Sequence, residues 1–310
     1  MPTDAAAPGA VSTTGSFGAA NGGSNHRVVI NADDFGLHPA VNRGICRAHQ
    51  EGVVTSTSLM ACGSAFQDAV ERLRACPNLD VGIHLTLVEE RPVSSAGEVS
   101  SLVGPDGRML ASHRHFARRW LSGRIRARDV RQELCSQVQR VLRSGIRPTH
   151  LDAHQHVHCL PGIWPMVVAL AEEHRIPFVR LPRFESLRAA ARGWMDSVLR
   201  SSVNLLAGMH ARRWPATVHC ADHVKGAELS GRMTGDALLR LLGGVRTGLT
   251  EILVHPGEDD PDLHRRYGHW YWFDWRAELE AVTDERVQAC CRQGTVQLTR
   301  FSAAAAARQP

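Results

Sequence analysis

Short β-branched runs that stop at polar residues and hand over to helix-periodic segments recur along this chain, and that alternation limits the fold more than any other feature. Val28-Val29-Ile30 runs into Asn31-Ala32-Asp33-Asp34-Phe35-Gly36 and then into an apolar-periodic stretch over 41–49. The cycle returns as a strand over 55–61 with a helix over 65–74, a strand over 79–87, and a strand over 149–152 feeding a helix over 163–173. Further strands are expected over 177–181, 217–219, 251–254 and 295–301. Parallel strands need long crossovers, usually helical, so strict alternation predicts a parallel sheet covered by helices. The fold class expected is α/β, a distorted (β/α) barrel of about seven or eight parallel strands. The stretch over 90–147 exceeds one such step and predicts an insertion: a loop at Gly104-Pro105-Asp106-Gly107, then helices over 115–122 and 129–142. Residues 1–25 lack large apolar side chains and are expected to form a disordered tail. One domain is expected over 26–303, with a short C-terminal tail over 304–310.

With 43% hydrophobic and 22% charged side chains over 310 residues, wholesale disorder is excluded. No run reaches the ~18 apolar residues of a membrane span, and the N-terminus has no basic segment leading into an apolar one, so a cytoplasmic protein without a membrane span is expected. The net charge of +5 is carried by arginine almost throughout, Lys225 being the sole lysine. Those arginines are scattered along the sequence, which reads as codon composition; a nucleic-acid surface needs them gathered on one face, and no nucleic-acid partner is expected. Eight cysteines show no C-x-x-C spacing, and only Cys290 and Cys291 are close, so buried free thiols are expected in place of a disulfide framework.

The polar residues closing the strands carry the chemistry. Adjacent carboxylates such as Asp33 and Asp34 repel one another unless a cation or shared proton lies between them, though Asp there also suits the cap of the next helix. His84 closes Gly82-Ile83-His84-Leu85-Thr86, either as a core histidine or as a ligand. Thr149-His150-Leu151-Asp152-Ala153-His154-Gln155-His156-Val157-His158 places four histidines and an aspartate directly after a strand, a density that points to metal or proton-transfer chemistry. Not all of them can ligate one ion, so the others orient ligands or bind substrate. His255 ends a further strand before Pro256-Gly257. Asp33, Asp34, His84, His154, Arg180 and His255 all fall at the C-terminal ends of separate strands, which converge on the active face of a parallel barrel. One carboxylate and two imidazoles with open coordination positions suit metal-assisted hydrolysis, with the second aspartate and a further histidine as base and acid. Zinc, iron or cobalt fit such donors on softness. Arg180 could anchor substrate or pair with a barrel carboxylate.

Asn31-Ala32-Asp33-Asp34-Phe35-Gly36-Leu37, Thr55-Ser56-Thr57-Ser58-Leu59-Met60, Gly82-Ile83-His84-Leu85-Thr86-Leu87, the histidine-rich block and His255-Pro256-Gly257 together resemble the YdjC-like carbohydrate deacetylases, also called the ChbG/HpnK family. The resemblance runs in order over 28–301. It implies a distorted (β/α) barrel and removal of N-acetyl groups from amino sugars, such as units of chitooligosaccharides, with one divalent ion, usually described as Mg²⁺; Zn²⁺ fits the donors. It implies His84 and His154 as metal ligands and the Asp33-Asp34 pair as catalytic and metal aspartates; by analogy with other metal deacetylases Asp33 is the base and Asp34 the ligand, with the two roles exchangeable, and His255 is the expected acid in that mechanism. Arg180, His156 and His158 are then candidate substrate contacts.

Gly268-His269-Trp270-Tyr271-Trp272-Phe273-Asp274-Trp275 departs from the chitooligosaccharide branch. Trp270 and Trp272 serve either as a stacking platform for a sugar or as the core of a barrel lid. A lipid-linked or secondary-metabolite amino sugar therefore ranks next to soluble chitooligosaccharides as substrate. The alternatives to deacetylation are a metal-dependent phosphoesterase and a non-catalytic glycan-binding barrel. A homodimer is the default oligomeric expectation.

Overall fold

The computed structural model describes residues 26–182, 205, 215–270, 272–294 and 296–308, so the tail expected over 1–25 lies outside the described residues. The strands are β1 (His26–Phe35), β2 (Ser56–Leu59), β3 (Asp80–Leu85), β4 (His150–Ala153), β5 (Phe178–Val179), β6 (His223–Lys225), β7 (Gly248–Val254) and β8 (Gln297–Leu298). Among the described residues they form one sheet in the order β5-β4-β3-β2-β1-β7-β6, with β8 pairing off that path with β1. Every strand ladder is parallel. The two edges approach through a single residue: Val179 donates its N–H to the His219 carbonyl at 2.8 Å, and His219 donates to the Pro177 carbonyl at 2.7 Å. The result is the distorted barrel that the alternation predicts. Val28, Val29 and Ile30 are fully buried on both faces of β1, as a strand between a helical layer and a filled interior must be.

Helices follow the strands: α1 (Pro39–Gln50), α2 (Phe66–Arg72), α3 (His113–Leu121), α4 (Ala127–Arg143), α5 (Trp164–Glu173), α6 (Gly235–Gly243), α7 (Pro261–Arg266), α8 (Trp275–Thr283), α9 (Glu285–Arg292) and α10 (Phe301–Ala306). Their starts are written in the sequence. Ser112, Thr234, Asp260, Asp274 and Asp284 each accept a backbone N–H of the first helical turn, and proline opens α1 and α7. None of the helices among the described residues is long and apolar enough to cross a membrane.

Two sequence expectations shift. The strand expected over 217–219 shrinks to the His219 bridge, because Val218 spends its N–H on the Pro215 carbonyl (3.2 Å) in a turn, and β6 starts only at His223. The strand expected over 295–301 is β8 alone, and Phe301 already opens α10, whose Ala304 is buried against the sheet. Close backbone packing sets the active end: a Cβ on Gly44 would stand 2.3 Å from the Gly257 Cα, so α1 rests directly on the turn after β7.

Candidate active site

β1 and β2 pair at Asn31↔Ser56 and Ala32↔Thr57 and then at Phe35↔Leu59, so β1 carries one residue more than β2 between those points. This is a bulge, and Asp34 sits in it with φ 67°, the left-handed region that costs a non-glycine residue energy. Neighbours on a regular strand point to opposite faces; here Asp33 and Asp34 both line one cavity. His84 at the end of β3, His154 just after β4 and His255 just after β7 line it too.

Asp34 lies between two imidazoles, its Oδ1 3.3 Å from His84 Nε2 and 2.9 Å from His154 Nδ1. The other nitrogen of each ring is also met by a carboxylate: His84 Nδ1 by Asp152 Oδ1 at 2.7 Å, His154 Nε2 by Glu89 Oε2 at 3.3 Å. Burial opposes ionisation of Asp34, but the two histidines outweigh it and hold its carboxyl well below the usual range. Burial likewise disfavours charge on His84, yet Asp152 and Asp33 pull it up to about 9. His154 is raised well above the ordinary value against burial, by Asp34 and Glu89. The cluster thus draws positive charge onto its rings. One donor atom from each of Asp34, His84 and His154 lies within 4.8 Å of the others, all three buried. A carboxylate and two imidazoles oriented from behind by carboxylates is a donor set that fits a divalent ion.

Asp33 belongs to a different network. Arg180 Nη1 donates to Asp33 Oδ2 at 2.6 Å and Nη2 to Oδ1 at 2.7 Å. The same guanidinium lies 2.7 Å from Asp152 Oδ2 and 2.8 Å from Glu251 Oε1. Arg180 is 2% exposed and is not part of the cavity wall, so of its two expected roles the structure gives it the pairing with barrel carboxylates. Asn31 Nδ2 donates to Asp33 Oδ1 (2.8 Å) and to Ser58 Oγ (2.7 Å), and Ser58 donates on to Asp152 Oδ2 (2.7 Å). His150 closes this layer 3.0 Å from Ser58 Oγ, kept neutral by burial, which pushes its value down to about 4.

His255 faces Asp33 across the cavity, Nε2 to Oδ2 3.9 Å. Its backbone N–H donates to Glu278 at 2.5 Å, and a Glu278 oxygen stands 3.7 Å from Nδ1. Burial works against protonation of His255, but Glu278, Asp33 and Asp34 prevail and raise its value. The histidine-rich block divides. Gln155 and His156 both adopt left-handed φ (52° and 55°), and the chain turns so that His156 lines the cavity. His158 points the other way: 1% exposed, it lies 2.8 Å from the Arg180 carbonyl through Nε2 and is absent from the cavity wall. The substrate contact expected of His158 therefore has no support in its position.

Trp270 and Trp272 both line the cavity. Trp270 is only 7% exposed and packs 5.4 Å from the His154 ring, centroid to centroid, and among Tyr267, Phe273 and Trp275. Trp272 is half-buried. The cavity measures about 660 Å³, the size of small-molecule sites. Sequence reasoning missed Glu89, Glu251 and Glu278. Glu89 has φ 68° and collects His154, Gln155 (2.7 Å) and Trp270 Nε1 (3.4 Å) on its carboxylate. Glu251 had a usable signal: a buried acid inside the apolar run of β7 requires a cation, and Arg180 is set in an equally apolar strand end.

A parallel barrel with an Asp-His-His cluster and a second, arginine-bound aspartate at the C-terminal ends of its strands defines the class: a barrel with a buried candidate metal site opening into one cavity. Residues 27–293 match the family model described as YdjC-like protein, and the chain belongs to that family, as its motifs imply. It is 42% identical over 281 residues to the carbohydrate deacetylase of Brevibacillus brevis, covering 89% of this chain and 98% of that one. Against the carbohydrate deacetylase of Homo sapiens it is 35% identical over 249 residues, 74% of this chain and 75% of that one. The crystal structure of a candidate cellobiose-phosphate cleavage protein from Enterococcus faecalis superposes with a TM-score of 0.73 at 27% identity, covering 91% of this chain and 99% of that one.

Proposed function

We propose that this protein is a carbohydrate deacetylase, an amide hydrolase that removes the N-acetyl group of an amino sugar and releases acetate. The observation that carries the reading is the meeting of Asp33, Asp34, His84, His154 and His255 in one cavity, in a chain whose relatives are named carbohydrate deacetylases. Asp34, His84 and His154 would hold one divalent ion, which when bound polarises the acetamide carbonyl and activates water. Asp33, its carboxylate oriented by Arg180 and Asn31, takes the proton of the attacking water. His255, raised toward its cationic form, gives a proton to the departing amine. The 3.9 Å between Asp33 and His255 brings base and acid to the same substrate atom cluster. Acetate released from N-acetylated sugars, including chitooligosaccharides, is the direct test; a purified, metal-loaded protein that releases none from any acetamido sugar would overturn the reading.

A two-metal phosphoesterase draws less support. The second group of possible donors, Asp33, His84 and Asp152, already has Arg180 on both of its carboxylates. Metal analysis is expected to find one ion per chain. His84→Ala and His154→Ala each remove one of three ligands and are expected to weaken metal binding at least about tenfold. Titration followed by calorimetry checks this, and wild-type affinity in either variant would remove that histidine from the ligand set.

The two tryptophans are expected to separate. Trp272→Ala loses a stacking face and raises KM by roughly 5- to 150-fold, the equivalent of about 1–3 kcal/mol, with little change in melting temperature. Trp270→Ala, which opens a hole in a packed aromatic cluster, lowers the melting temperature as well. Kinetics and thermal melts on both variants decide it; an unchanged KM in Trp272→Ala would end the stacking role.

A further inference from the structure

The arginines are not evenly spread along the chain. Of 36 basic and 31 acidic side chains, seven arginines and a single acid, Asp129, fall within residues 110–131, leaving the rest of the chain with 29 against 30. α3, the turn after it and the start of α4 thus carry a net charge of +6 (seven arginines less one acid) in 22 residues. Asp129 takes Arg126 (2.7 Å) and Arg128 (3.2 Å). Arg114, Arg118, Arg124 and Arg131 have no carboxylate partner among the described residues, and all four are exposed. Arg114, Arg118 and Leu121 follow one another at helical spacing along one stripe of α3. Leu121 is 68% exposed, one of only two large apolar side chains so displayed among the described residues. α3 is fixed to the body: Phe116 is fully buried, and Trp120 Nε1 donates to the Pro161 carbonyl at 2.8 Å. The stripe begins at the cavity, whose wall includes Ser112, His113, Arg114 and Ala117.

We propose that α3 and the start of α4 form a docking surface for an anionic lipid bilayer, and that the cavity opens beside it at the headgroup level. Arginines meet lipid phosphates while Leu121 enters the acyl boundary beneath them, the division of labour of an interfacial helix. A phosphodiester strand would satisfy the arginines but has no place for a protruding leucine, which favours the bilayer over RNA. The docking stands apart from the reaction proposed above, and its test reads binding without turnover.

Sedimentation with vesicles is the experiment, comparing phosphatidylcholine alone with phosphatidylcholine containing about 30% phosphatidylglycerol at ~0.1 M salt. The full-length protein is expected to bind the anionic vesicles at least about tenfold more tightly. The combined variant Arg118→Gln, Arg124→Gln, Arg131→Gln is expected to lose roughly that factor, and Leu121→Ser to lose severalfold with every charge intact. Melting temperatures are expected to stay at the wild-type value, since none of the four side chains is buried. Equal binding to both vesicle types by the wild type, or wild-type binding by the charge variant, would overturn the proposal. So would tighter binding to a single-stranded RNA oligomer than to the anionic vesicles, unaffected by Leu121→Ser.

Discussion

Asp33→Asn is expected to lower kcat by about 10²- to 10⁴-fold while the metal content stays at the wild-type level. The substitution keeps the shape of the side chain but removes its ability to take a proton. Asp33 is hydrogen-bonded to Arg180 (2.6 and 2.7 Å) and Asn31 and to none of Asp34, His84 and His154, so the three ligands are expected to keep their positions in the variant. Asp34→Asn provides the contrast: there metal and activity are expected to fall together. Parallel metal analysis and single-turnover kinetics on the two variants separate base from ligand. Activity above about a tenth of wild type in Asp33→Asn would place the base elsewhere.

The largest effect on stability is expected from Arg180→Met. It leaves Asp33, Asp152 and Glu251 buried without their shared cation, a loss of about 3–5 kcal/mol set against a typical total of about 5–15. Urea unfolding measures it. The pH dependence carries a second signature. Burial already pushes Glu251 up to about 7 although Arg180 lowers it, so without Arg180 its value rises further. A carboxyl raised in the folded state favours folding while protonated, so the variant is expected to lose stability as pH rises from about 4.5, the unfolded value, through 7 and beyond. The wild type contains the opposite case in Asp152, held far below the carboxylate range by Arg180 and His84 against burial. Loss of less than about 1 kcal/mol in Arg180→Met would mean that the three carboxylates are hydrated or protonated already.

The barrel and the membership of its active end were legible because apolar strands stop at polar residues, and the period of each run tells strand from helix. Asp33, Asp34, His84, His154 and His255 stood out for the same reason. What local pattern could not supply was direction. His154, His156 and His158 alternate in sequence as if they shared one face, yet two consecutive left-handed residues send His156 to the cavity and His158 into the wall. Arg180 was visible as a charged residue at a strand end, but its choice of carboxylates over substrate depends on Asp33, Asp152 and Glu251, 147, 28 and 71 positions away. Glu89 lies between the strand expected over 79–87 and the insertion expected from 90, where no period marks it. The strand expected over 217–219 shrinks to the His219 bridge because the Val218 N–H closes a turn on the Pro215 carbonyl, a competition that strand propensity does not register.

The bulge in β1 bears on how such a site can be inherited or transplanted. An Asp-Asp dipeptide grafted onto a regular strand of another barrel would send one carboxylate into the helical layer, where it would destabilise the host without serving the chemistry. The unit that must travel together is the acidic pair, the extra residue's worth of backbone between Ala32 and Phe35, and the β2 partner that tolerates the mismatch. For a designer this makes the irregularity the specification, and any idealisation of β1 toward a perfect ladder would erase the function while improving the fold.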